Sequence, residues 1–200
     1  MVSQFSKNPN DPAPGGPSWL KKIREDGRKQ FEDLGIPTSK NEAWKYTSVK
    51  SLMEIPFVLG TFSPQDAQVL EKFPCAGFEK PHGIQISFVN GFFAPSLSNL
   101  RDLPKGVEVK SLKEVWEEKP KEIEKYLNRQ SPTDHEPFAA LNAAYLYDGA
   151  YLRLQKGTQL QDPIQVFYYS ISNSNPTASH PRTLVIAEEG TRGILVETFA

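Results

Sequence analysis

From Gly149 to Ala200 the chain is a succession of short β runs set apart by turn residues. "AYLRLQKGTQL" puts Leu152 and Leu154 on one face and Arg153 on the other. "DPIQVFYYSIS" carries Ile164, Val166 and Tyr168 in period two, and "RTLVIAEEGTRGILVETFA" reads as two strands about a Glu189-Gly190 turn. A period of two sends alternate side chains to opposite faces of a strand. Strands this short, recurring about every ten residues, must stack in a sandwich, a barrel or a solenoid. No fixed-period repeat is visible, although a solenoid with irregular rungs need not show one. The last run stops at Ala200 without a capping segment, whereas a solenoid covers its terminal rung. The pattern therefore reads as an architecture that should continue.

The region before it has a different period. Residues 1–17 are rich in Pro, Gly and Asn and read as a disordered tail, too poor in apolar groups to offset the entropy of ordering. In "SWLKKIREDGRKQFEDLGIP", Trp19, Leu20, Ile23, Phe31 and Leu34 suit one stripe of a helix. Ser18 is placed to cap it, Gly27 weakens its middle, and Gly35 ends it. Ser39 and Glu42 have the spacing of a capping box, which predicts a short helix over about 40–46. On it Trp44 and Tyr46 become packing anchors and Lys45 faces solvent. Ser63-Pro64 starts another short helix. At about residue 83 the pattern turns to β: "GIQISFVNGFF" alternates Ile84, Ile86 and Phe88 ahead of an Asn90-Gly91 turn, and "GVEVKSL" is a second strand. "SLKEVWEEKPKEIEKYLNRQ" is helical and broken at Pro120, and "EPFAALNAAYL" is a short helix ending near Asp148-Gly149.

Function classes narrow by exclusion. With 23 basic and 24 acidic residues the net charge is -1, without the basic excess of a general nucleic-acid binder. No apolar run reaches membrane-spanning length, and the N-terminus lacks the apolar core of a secretory signal. The lone Cys75 excludes an internal disulfide and a multi-cysteine metal site made by this chain alone. The simplest location is the cytoplasm. No phosphate-cradling glycine loop, nucleophile elbow or paired-histidine zinc motif occurs. His82, His135 and His180 sit beside prolines or acids, none at ligand spacing from another. Asp134, His135 and Glu136 would supply a metal hydrolase only with a converging third ligand, and read more simply as a solvated turn. Cys75 in "FPCAGF" reads as a packed small hydrophobe. The run Phe167, Tyr168, Tyr169 motivates an alternative, a ligand- or carbohydrate-binding β module with a helical prefix. No catalytic, cofactor-binding or metal residue is assigned.

Four blocks in order resemble the N-terminal half of the SufD family, components of the SUF iron–sulfur cluster assembly system. They are "NEAWKYTSVKSL", "ISFVNGFFAPSLSNLRDLPKGVEV", "PFAALNAAYLYDGAYLRLQKGTQLQDPIQVFYYS" and "PRTLVIAEEGTRGILVETF". The sister SufB shares the β-rich core, and the Trp-Lys-Tyr-Thr block points to SufD. The resemblance implies an α+β chain: a helical N-terminal domain with short strands over 18–148, then the first rungs of a right-handed parallel β-helix over 149–200. It implies a non-catalytic scaffold working with SufB-like and SufC-like subunits in a hetero-oligomer, with the iron–sulfur cluster handled by the full complex and no cofactor bound by this chain alone. In the family the ATPase contact, the SufB-pairing strands and the histidine proposed to act in cluster assembly lie in the C-terminal half. His82, His135 and His180 therefore inherit no role.

Overall fold

A computed structural model describes residues 15–72, 83–127, 129, 133, 135–172 and 175–200. His82, Cys75, Asp134 and most of the 1–17 tail lie outside the described residues. Helix α1, Ser18–Leu34, buries Leu20, Arg24, Gly27 and Phe31. Its cap differs from the expectation. Ser18 is the first helical residue and Pro17 precedes the helix with no side-chain cap, the Leu20 and Lys21 amides donating to the Pro17 carbonyl. The expected glycine stop is present, with Gly35 at φ 68° donating to Phe31 O. Gly27 is where α1 meets α5, Pro137–Ala144: a Cβ there would lie 2.8 Å from Ala140 O and Ala144 N. What reads in sequence as a weak point is thus the position of closest helix approach.

The helix expected over 40–46 is only a 3₁₀ turn, Glu42–Trp44, and no Ser39–Glu42 capping box forms. Instead the Asn41 carboxamide oxygen accepts from the Thr38 amide at 2.9 Å, a local turn that competes with helix nucleation. Trp44 does anchor, its ring 5.2 Å from Phe138. Tyr46 does not: it is 91% exposed, beneath the Lys45 ammonium. Ser63 caps helix α2, Pro64–Lys72, as expected, exchanging bonds with Asp66.

The fold is α+β, with nine strands in three sheets, none closed into a barrel among the described residues. The first sheet pairs β1, Val58–Leu59, with β7, Thr177–Ala178. The second runs β3-β2-β6-β9: Phe92–Phe93, Gln85–Val89, Ile164–Tyr169 and Leu195–Phe199. The third runs β4-β5-β8: Val107–Ser111, Gly149–Leu154 and Arg182–Ala187. From β5 onward the chain visits the third, second, first, third and second sheets in turn. Each returning strand lies parallel on the one before it, β8 on β5 and β9 on β6. The two strands read about Glu189-Gly190 therefore exist but do not pair with each other, because residues 188–194 carry the chain from one sheet to the next.

Inward residues of the second and third sheets, Ile86, Phe88, Val166, Tyr168, Ala150 and Leu152 among them, form one core. The other face of the third sheet is covered by α1, by α3 (Leu112–Glu118) and by α4 (Pro120–Glu124), through Leu20, Leu112, Trp116, Ile123, Tyr151 and Ile186. Burial on both faces explains why "GAYLRL" is almost continuously buried rather than alternating with solvent. The strands over 85–111 hydrogen-bond to strands beyond Gly149, so both regions contribute to the same two sheets.

Candidate functional site at the open sheet edges

Beside Tyr145 and His180 a crevice of about 10 Å³ has room for no more than a water molecule. The His180 ring stacks on Tyr145 at 5.2 Å, and burial of the imidazole pushes its pKa down to about 4. This is a packed interior, not a substrate pocket. His135 and Glu136 are exposed before α5, and among the described residues no group of three His, Cys, Asp or Glu side chains converges for a metal. The aromatic run does not form an exposed platform. Tyr168 is 5% and Phe167 3% exposed, with Phe167 stacked on Tyr169 across 5.7 Å.

The described surface offers more at the edges of the two large sheets. Strand β8 borders the third sheet and β9 borders the second. Register places Ile86, Val166 and Glu197 in one row across the second sheet, and Phe88, Tyr168 and Phe199 in another. The aromatic row is stacked, at 5.3 Å and then 5.1 Å. Its buried members lead to Phe199, 71% exposed. Across the third sheet the buried Leu152 is followed by Val185, 46% exposed. The core rows thus run out to solvent at β8 and β9, where strand backbone and apolar side chains are presented together.

Polar groups line the same rim. The Thr183 hydroxyl donates to Glu197 Oε1 at 2.5 Å, so its oxygen is left to accept from the Tyr168 hydroxyl at 2.6 Å. Burial holds the Tyr168 phenol well above its ordinary range, although the Thr183 bond pulls the other way. Arg182 Nε donates to Asn142 Oδ1 at 2.9 Å, and burial lowers the guanidinium to about 10. These residues border an open groove of about 370 Å³. A second groove, about 430 Å³, follows β8 between Leu184–Ala187 and the cations Lys125 and Arg129. The rim suits the pairing of an added strand better than the enclosure of a small molecule.

Behind the rim, Asp148 organises the fold, a role the sequence reading missed. Its buried carboxylate accepts from Ser111 Oγ at 2.7 Å and from the amides of Gly149, Phe93 and Lys113 at 2.7, 3.0 and 3.2 Å. It therefore joins hairpin β2–β3, the start of α3 and β5. Burial pushes its carboxyl up while the four donors pull it down. The available signal was the S-x-x-E spacing of Ser111 and Glu114, which form the true capping box.

Comparison with known proteins places the sequence in a family. The family profile described as the SufBD protein N-terminal region matches residues 4–166. The chain is 28% identical over 182 residues to the iron-sulfur cluster assembly SufBD family protein slr0076 of Synechocystis, covering 91% of this chain and 39% of that protein. It is 26% identical over 202 residues to the iron-sulfur cluster assembly protein SufD of Bacillus subtilis, covering 99% and 44%. Against the chloroplastic SufBD family protein ABCI8 of Arabidopsis thaliana it is 29% identical, covering 87% and 33%. The chain thus spans less than half the length of these curated relatives. It belongs to the SufBD family of iron–sulfur cluster assembly proteins.

Proposed function

We propose that the chain is the N-terminal portion of a SufD-like scaffold subunit, non-catalytic and cytoplasmic, which supports cluster assembly together with SufB-like and SufC-like subunits. The iron–sulfur cluster is the cargo of the complex, not a resident group of this chain. The observation that carries the reading is the family match over residues 4–166, coupled to a fold that presents strand edges at β8 and β9. The strands from β5 onward are read as the first rungs of a right-handed parallel β-helix; the third-second-first-third-second order of sheets and the parallel stacking of β8 and β9 support this. No helix among the described residues is long and apolar enough to cross a membrane.

The test is anaerobic co-expression, with SufB-like and SufC-like subunits, of this chain joined to a SufD-family C-terminal half that carries the SufB-pairing strands, capture through a tag on this chain, and iron and sulfide analysis of what elutes. The SufB-like subunit is expected to elute with it, with iron and sulfide in the complex and not in the chain alone. Absence of the partner, or one cluster per chain on the isolated protein, overturns the reading.

A further inference from the structure

The Asn90-Gly91 turn has a chemistry of its own. An Asn followed by Gly is prone to intramolecular attack, because no Cβ on the second residue shields its backbone nitrogen. The fold holds this Asn in place from several sides. Asn90 is 6% exposed. Its Nδ2 donates to Thr61 O at 2.9 Å, and its Oδ1 accepts from the Ile171 amide at 2.8 Å. Its own amide donates to Tyr169 O at 2.8 Å. Its carbonyl oxygen lies so near Gly60 that a Cβ there would approach within 2.7 Å. One side chain thus ties the segment after β1 and the segment after β6 to the β2–β3 turn.

We propose that Asn90 is a deamidation site gated by local opening of the fold, and that its modification releases this latch irreversibly. When the site opens, the Gly91 nitrogen attacks Asn90 Cγ. The N–Cγ bond forms, the Cγ–Nδ2 bond breaks, and ammonia leaves with the proton from Gly91 N. Water then opens the succinimide at either carbonyl, yielding aspartate or isoaspartate, with no oxidant or reductant involved. In the closed state the two side-chain hydrogen bonds and burial hold Cγ away from productive attack. Aspartate places a carboxylate where the amide donor faced Thr61 O, so two acceptors oppose each other, and isoaspartate reroutes the main chain through Cγ and removes the side-chain amide altogether. The Gly60 amide, which donates to Ala178 O at 2.8 Å beside the β1–β7 pair, loses the neighbour that held its segment down.

Peptide mapping with isoaspartate detection, in mildly alkaline buffer, tests this in three arms. The folded chain is expected to lose ammonia at Asn90 at least ~10-fold more slowly than the urea-unfolded chain, since reaction must wait for local opening. Gly60→Val, which drives a side chain against the Asn90 backbone, is expected to raise the rate in the folded chain several-fold. Asn90→Asp, which mimics one product without needing the reaction, is expected to speed hydrogen exchange at the Gly60 amide. Equal rates folded and unfolded, or no ammonia loss even in urea, overturns the gated site. Unchanged Gly60 exchange in Asn90→Asp overturns the latch, and this outcome can be read even if Gly60→Val does not fold.

Discussion

Two buried ionisable groups set what single residues contribute. Asp148 accepts from four donors, and an asparagine in its place offers one carbonyl oxygen and an amide that faces donors. Asp148→Asn should therefore cost about 2–3 kcal/mol in urea unfolding, the range for bonds to a charged group left unmade. An unchanged midpoint would show that the carboxylate is not what joins these segments. His180 acts through protons. Its folded pKa is depressed to about 4, so the folded state favours the neutral ring. The unfolded chain takes up a proton below about 6.5 that the folded chain refuses until about 4. The contribution is complete above about pH 6.5 and falls by up to about 1.4 kcal/mol per pH unit as pH drops through that window. His180→Phe should flatten this part of the stability–pH curve, and a parallel curve for wild type and variant would rule the mechanism out.

At the scale of elements, two serines share one sequence pattern and differ in outcome. Ser39-x-x-Glu42 and Ser111-x-x-Glu114 have the same capping-box spacing, yet only the second forms the box. Ser111 starts a helix whose Val115 and Trp116 are buried, so packing rewards helix formation there. The 3₁₀ turn after Ser39 buries none of its residues, and Asn41 closes a rival turn. Ser111→Ala should cost about 1–2 kcal/mol, counting the cap and the bond to Asp148, whereas Ser39→Ala should fall within about 0.5 kcal/mol of wild type. Equal effects in thermal or chemical unfolding would contradict the assignment. Elements whose signals are purely local were legible in advance. Asn90 and Gly91 have φ of 52° and 87° and join β2 to β3 as a two-residue hairpin. Pro120 divides α3 from α4 where its ring forbids a continuous helix.

Across the whole molecule, parallel stacking depends on backbone proximity that no local pattern announces. A Cβ on Gly149 would fall 1.8 Å from Arg182 O, with the carbonyl carbon and amide nitrogen of Arg182 at 2.8 Å. All three are backbone atoms, so Gly149→Ala must force β5 and β8 apart where they first pair. A loss of about 3 kcal/mol or more is expected, at the upper end of overpacking costs. A variant as stable as wild type would mean that the two strands can slide without penalty. At the open edge, the isolated chain should self-associate as its concentration rises, through β8 and β9. Val185→Lys with Val196→Lys should reduce this association in sedimentation velocity without a large loss of stability, because both positions are already solvent-exposed. Association that persists unchanged would move the contact elsewhere.

The sequence by itself determined many of the turns and breaks, the period of the longer strands and the family, since these rest on local backbone preference and on the order of short blocks along the chain. Leu152, Leu154, Ile164, Val166 and Tyr168 could be placed on core faces from alternation alone, and all lie in one core. Only the tertiary structure decided which strand lies beside which. It turned the β8–β9 pair of the sequence into two stacked layers, sent Tyr46 into solvent, and drew Asp148 from an apparent turn into the interior. One physical reason covers the strand layers and Asp148. Parallel pairing and the burial of a carboxylate are stabilised by partners tens of residues away, such as Arg182 for Gly149 and Phe93 for Asp148, which a window on the chain does not contain.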